Sequence, residues 1–172
     1  MSKASSGLYW GTKGSKSLRL VPGAAGIVTG GSSQKLGKNT LQAMGLSRKT
    51  KWTGYQAQHI IPVALRAHPV LKKMGFDLDD VSNGIFLREP NSAVSAISRH
   101  KGFHSTYNSF VKKKLDEINS NSSINSLQND VKYLQTNLRK MLQSGIVIYP
   151  DQGASIDLLE RTYNRIAQKR GY

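Results

Sequence analysis

Three of the chain's four histidines fall in two short stretches. His59 stands in Gln56-Ala57-Gln58-His59-Ile60-Ile61-Pro62, and His100 and His104 in His100-Lys101-Gly102-Phe103-His104. A neutral imidazole can take a proton from water near pH 7. Two histidines four residues apart share one face of a helix, a spacing that suits a common metal ion. Together they offer what phosphodiester hydrolysis needs: an activated water and a positive centre for the charged transition state. His59 is the candidate base, and His100 and His104 are candidate ligands. Gly102 costs a continuous helix about 1 kcal/mol relative to Ala, so His100 can equally lie on the loop before the helix that carries His104.

Taken singly, each of these residues has a plainer reading. His59 beside Ile60 and Ile61 reads as a hydrogen-bonded core histidine. An isolated His-x-x-x-His in a basic chain is more often coincidence than a site. Asn83-Gly84 reads as a turn, because both residues tolerate positive φ. His68 has no partner pattern and reads as surface or packing. Only the ordered set, base then Asn then two histidines, favours chemistry.

The elements that must position this set follow from apolar spacing. Leu36, Leu41 and Met44 predict a short helix over 34–46, ended at Gly45. Tyr55 to Ile61 reads as extended, and Pro62 opens a helix from about Val63 to Met74. Asp77 to Asn83 is polar and turn-forming, and Gly84 to Arg88 reads as a strand. Phe103, Tyr107, Phe110, Val111, Leu115 and Ile118 form a helical stripe. Further helices are expected around Leu127 to Leu142 and Ile156 to Ile166, with a short strand at Ile146 to Tyr149; these later helices carry no evident chemistry and cover the core. Short strands are also expected at Leu8 to Trp10 and Leu18 to Val21. Gly30-Gly31 to Gly37-Lys38 superficially resembles a phosphate loop but fails its spacing.

The 172 residues suit one domain with a core. Residues 1–33 read as a flexible Ser/Gly/Lys-rich lead-in. A single domain is expected over 34–172, with its motif core at about 54–119 and C-terminal helices over 125–171. The absence of cysteine excludes disulfides and thiolate zinc sites. No run of about 18 apolar residues offers a membrane helix, and no signal-peptide core stands at the N-terminus. Net charge is +15, and twelve Lys or Arg precede the first acidic residue, Asp77. A block this one-sided repels itself unless an anion lies nearby, and nucleic acid is the commonest such partner.

The segments Gly54 to Pro62, Asn83-Gly84-Ile85-Phe86-Leu87 and His100-x-Gly102-x-His104-Ser105-x-Tyr107-Asn108 together resemble the AHH family. This is a branch of the HNH, or ββα-metal, nucleases common as toxin domains in bacterial secretion and interbacterial competition systems. The resemblance runs from about Lys35 to Ile118. It implies an α+β, mainly helical fold: a small ββα-metal core with additional covering helices. It makes His59 the general base, Asn83 the residue that orients its imidazole, and His100 and His104 metal ligands. Tyr107 and Asn108 take supporting roles. The family's paired histidines depart here, because Gln58 stands at the first. Glutamine ligates through its amide oxygen and leans to harder ions, so one divalent ion is expected, Mg²⁺ or Mn²⁺ ahead of Zn²⁺ or Ni²⁺.

The expected substrate is DNA, cut with little sequence preference, since backbone contacts carry no sequence information. Lys49, Lys51, Arg66, Arg88, Arg99 and Lys101 are candidate phosphate contacts because they flank the motifs. The resemblance further implies an acidic cognate immunity protein. It implies delivery by a bacterial secretion system and action in the target-cell cytoplasm, by a chain that is monomeric alone and has no membrane partner. The rival readings are a catalytically inactive nucleic-acid-binding module and a metal-independent RNase toxin.

Overall fold

The computed structural model describes the backbone at residues 9–10 and the chain over 26–88 and 104–169; Tyr9, Trp10 and Arg88 are described by backbone alone. Three antiparallel strands pair in the order β1 (Tyr9–Trp10), β3 (Gly84–Arg88), β2 (Tyr55–His59). β2 and β3 run in unbroken register from Tyr55↔Arg88 to His59↔Gly84. Neighbours on such a strand point to opposite sides, and the two sides of this ribbon bury different partners.

On one side, Ala57 and Phe86 pack with Leu41 of α1 (Ser33–Ala43), with Trp52 and Tyr55 at the margin. On the other, Ile85 joins the main core with Tyr107 and Phe110 of α3 (Ser105–Asp116). Val131 and Leu138 of α4 (Ile124–Gln143) and Leu159 and Tyr163 of α5 (Ile156–Gln168) complete that core. The result is α+β and mainly helical, with a small two-strand ribbon, a helix across it and covering helices, as expected. Among the described residues no helix is long and apolar enough to cross a membrane.

Local chemistry sets the helix ends. Ser32, Ser123 and Ser155 cap α1, α4 and α5, each accepting a backbone N–H of the first turn. The single helix expected over Val63 to Met74 is instead a 3₁₀ turn at Val63–Leu65 and a short α2 at Pro69–Met74. Pro69 forces the break: the residue before it, His68, is extended at ψ 132° and caps α2 by accepting from Val70 N. The strand expected at Ile146 to Tyr149 does not form. Ile148 is buried in the main core outside any strand, and a 3₁₀ turn, Pro150–Gln152, follows.

The lead-in also ends earlier than residue 33. Gly26 N donates to Lys72 O at 2.7 Å, Thr29 N to Phe76 O at 3.0 Å, and Leu78 N returns to Thr29 O at 2.9 Å. Backbone pairing of this kind fixes 26–33 to the domain. Of the early strands, Tyr9–Trp10 pairs with Leu87 and Phe86; Leu18 to Val21 lies outside the described residues.

Candidate active site

His59 ends β2 on the side that faces α1, and only 5% of it is exposed. Its Nε2 lies 3.1 Å from Oδ1 of Asp79, a carboxylate that is itself buried. The same oxygen accepts from Gly31 N at 2.8 Å and Ser32 N at 2.9 Å. Two consecutive glycines make this approach possible. Gly30 and Gly31 sit at φ +79° and +117°, and a Cβ on Gly30 would stand 2.8 Å from the Asp79 Cγ. The Gly30-Gly31 pair therefore cradles a carboxylate, not a phosphate. Burial alone would push the Asp79 carboxyl up; the donors Gly31, His59 and Ser32 outweigh it and hold the group below the usual carboxylate range. An ionised Asp79 makes His59 Nε2 the donor, so in the neutral imidazole the lone pair is on Nδ1.

Asn83 does not orient that ring, contrary to the expectation from sequence. Its Oδ1 accepts from Ile61 N at 2.7 Å and Gln135 Nε2 at 3.2 Å. Its Nδ2 donates to Ile61 O at 3.1 Å and Leu78 O at 3.0 Å. Two donors and two lone pairs are all the amide has, so nothing is left for His59. Asn83 instead locks the segment after β2 to the turn before β3, and Ile60 N donates to its carbonyl at 2.8 Å. The group in contact with the His59 ring is Asp79.

α3 lies across the other side of the ribbon. Tyr107 is fully buried and donates to Ile60 O at 2.7 Å, tying the helix's first turn to the residue after the candidate base. Burial pushes its phenol far up, so it stays a neutral donor. His104, the N-cap of α3, leans on Tyr149 with ring centroids 4.4 Å apart. Its Nδ1 is buried without a hydrogen-bond partner, and so is Oδ1 of Asn108, one turn along the same face. Burial pulls the His104 imidazole below its usual value and keeps it neutral, with a lone pair to give. Gln58 points to this side, opposite Ile85, and its Nε2 donates to the His59 carbonyl at 3.4 Å. With regular register and no bulge, Gln58 and His59 face opposite sides of β2.

The family model described as AHH, a nuclease family of the HNH/ENDO VII superfamily with conserved AHH, matches residues 39–142. The chain belongs to the AHH nuclease family. AHH enzymes are hydrolases of phosphodiester bonds, and nucleases of the superfamily generally use a divalent metal. The triplet that names the family reads Ala57-Gln58-His59 here. No curated protein and no solved structure matches the chain.

The other AHH candidates divide by place. Lys49 and Lys51 are exposed and line one groove. Arg66 is exposed and donates from Nη2 to Gly30 O at 3.2 Å, beside the Asp79 loop. His100, Arg99, Lys101 and the Arg88 side chain lie outside the described residues. Among the described residues no three His, Cys, Asp or Glu side chains converge as a metal cluster. The donors that fit a divalent ion are the unpartnered His104 Nδ1 and Asn108 Oδ1, one nitrogen and one hard oxygen.

Sequence reasoning missed three contributors to this AHH site. Asp79 read as turn, although Asp77, Asp79 and Asp80 are the first carboxylates in a strongly basic chain. Asp77 and Asp80 satisfy backbone amides two residues on, and only Asp79 reaches across the fold. Gln135 and Arg139 sat in a helix read as mere cover. Gln135 bonds Asn83, and the Arg139 guanidinium donates to Gly84 O and Ser82 O, both at 2.9 Å.

Proposed function

We propose that this AHH chain is a metal-dependent endonuclease that cuts DNA with little sequence preference, using His59 as general base. The pairing of His59 Nε2 with ionised Asp79 is the observation that carries this reading. Asp79 holds the ring in one tautomer and supports the imidazolium that forms when Nδ1 takes a proton from the attacking water. The water oxygen then bonds to phosphorus as the bond to the leaving oxygen breaks. His104 Nδ1 would hold the metal, with His100 and Gln58 as further ligands and Asn108 Oδ1 within the same helical turn. Bound there, a divalent ion supplies positive charge against the developing charge on the phosphate. Tyr107 keeps the helix that carries His104 against the strand end that carries His59.

The family's frequent place in bacterial toxins and the charge of +15 support a toxin held in check by an acidic immunity protein, met by electrostatic steering. Delivery by a secretion system into a target cell follows from the same reading. Co-purification with an acidic protein encoded beside it is the expected outcome; its absence counts against the toxin role alone.

Three observations favour a second reading, an inactive nucleic-acid binder: Gln58 at the family's first histidine, the 5% exposure of His59, and the placing of His59 on the side of β2 opposite Gln58 and His104. A plasmid-nicking assay in Mg²⁺, Mn²⁺, Zn²⁺ and Ni²⁺, with and without chelator, separates the two. Wild type cuts in at least one metal, and His59→Ala loses ~10²-fold or more while keeping fold and DNA binding. Equal cutting by both proteins removes His59 from the mechanism. Binding without cutting in every metal establishes the second reading, and chelator-insensitive cleavage of RNA alone points to a metal-free RNase.

A further inference from the structure

Beside the start of β2 lies a groove of about 650 Å³ lined by Lys38, Arg48, Lys49, Lys51, Trp52 and Tyr55. Its cations differ from those on α3. There Lys112 pairs with Asp116, Lys113 with Glu160, and Lys114 with Glu117 and Glu160. Among the described residues no carboxylate pairs with any of the four groove cations. Arg48 is nonetheless held in place, because its Nη1 donates to Asn39 Oδ1 at 2.8 Å and to Gln42 Oε1 at 2.9 Å. Both acceptors are neutral amides, so the guanidinium is oriented without losing its charge. The floor is fixed too: Trp52 packs on Phe86 with centroids 5.6 Å apart, and Gly37 leaves room for its indole.

The groove adjoins the His59 centre by two routes. Asn39 binds Arg48 with its oxygen and donates its Nδ2 to Asp79 O at 2.8 Å. A single side-chain amide thus separates Arg48 from the residue whose carboxylate holds His59. Tyr55, at the other end, stands four residues before His59 on β2, or ~13 Å at strand rise. That length matches about four base steps of duplex at ~3.4 Å each.

We propose that this groove carries the nucleic-acid backbone on one side of the scissile bond, with Arg48 as its oriented phosphate fork. A guanidinium fork matches two phosphate oxygens, and a rim of unpaired lysines over an aromatic floor suits a strand with charged and flat surfaces. A polymer must also run continuously from its grip to the cut, and β2 joins the two. An acidic protein has no such need to reach His59. The proposal rests on the nuclease reading for the position of the cut, and its test does not use cleavage.

The test measures binding of a 20-bp duplex DNA to the full chain in chelator across a salt series, for wild type and for Arg48→Ala/Lys49→Ala/Lys51→Ala. The triple variant is expected to bind at least tenfold more weakly at low salt. Its plot of log affinity against log salt should be shallower by ~2–3, at ~0.9 for each phosphate no longer neutralised. A control, Lys112→Ala/Lys113→Ala, removes charge from the other side of the molecule and should leave affinity and slope near wild type. Thermal melting verifies that each variant folds, and Lys49→Ala/Lys51→Ala, both at exposed positions, stands in if the triple variant does not. Unchanged binding in the groove variant, or an equal loss in the control, overturns the proposal. So does polyglutamate that binds wild type as tightly as the duplex and loses as much in the groove variant. A His59→Ala protein that still cuts would remove the base and leave this result standing.

Discussion

The two sides of β2 are finished differently. On the α1 side, Asp79 Oδ1 takes three donors, from Gly31, Ser32 and His59, so the protein itself completes the environment of the ring. On the α3 side, His104 Nδ1 and Asn108 Oδ1 are buried without a hydrogen-bond partner among the described residues. An unsatisfied buried polar atom costs about 1–3 kcal/mol. The base side is therefore completed from within the chain, and the α3 side leaves a nitrogen and an oxygen open.

The largest effect is expected where the two sides join. Asn83→Ala leaves Ile61 N, Ile61 O, Leu78 O and Gln135 Nε2 without their partner. At about 1–3 kcal/mol each, partly relieved by relaxation, the loss approaches the whole stability of a domain, about 5–15 kcal/mol. Thermal or urea unfolding should show a collapse of ~3 kcal/mol or more. A mild shift would mean that Asn83 does not lock the ribbon.

Asp79→Asn comes next and tests the prebuilt side. It keeps an oxygen for Gly31 and Ser32 but removes the charge that supports His59. Cleavage should fall by ~10–10²-fold, up to the lower end of the ~10²–10⁴ that positioned acid–base groups contribute, with DNA affinity in chelator unchanged. An undiminished rate would reduce the pair to a structural tie.

The α3 side is probed with metal alone. A divalent ion that binds only the folded protein raises its melting temperature. Wild type should show such a rise, and His104→Ala should lose most of it. An equal rise in both proteins places the ion elsewhere.

The smallest effect is on acid stability. The Asp79 carboxyl titrates below its ordinary value of 3.8 in the folded state. Its contribution is therefore full above that value and is lost as pH falls through the depressed one. Asp79→Asn should flatten the acid limb of melting temperature against pH. A limb as steep as wild type's would assign acid sensitivity to the Asp116 and Glu160 carboxyls, which also titrate low.

Much of this was legible in the chain. The stripe Tyr107, Phe110, Val111 and Leu115 set α3, and Gly84 to Arg88 read as the strand it is. Pro69 was equally visible, yet the apolar run from Val63 to Met74 hid the break it makes. Asp79 was hidden for a different reason. Three acidic residues in a turn look alike locally, and the one that matters is chosen by Gly30-Gly31, some fifty positions earlier.

The sequence by itself determined the family, the ribbon, the helix across it and the excess of positive charge, because periodicity and composition are local properties. Only the tertiary structure decided which carboxylate meets His59, that Asn83 spends its amide on the backbone of Ile61 and Leu78 and on Gln135, and that four cations share a groove with no carboxylate pairing them among the described residues. Those outcomes depend on which distant groups arrive at one place. Hydrogen-bond capacity is finite, so each arrival settles what the next can do.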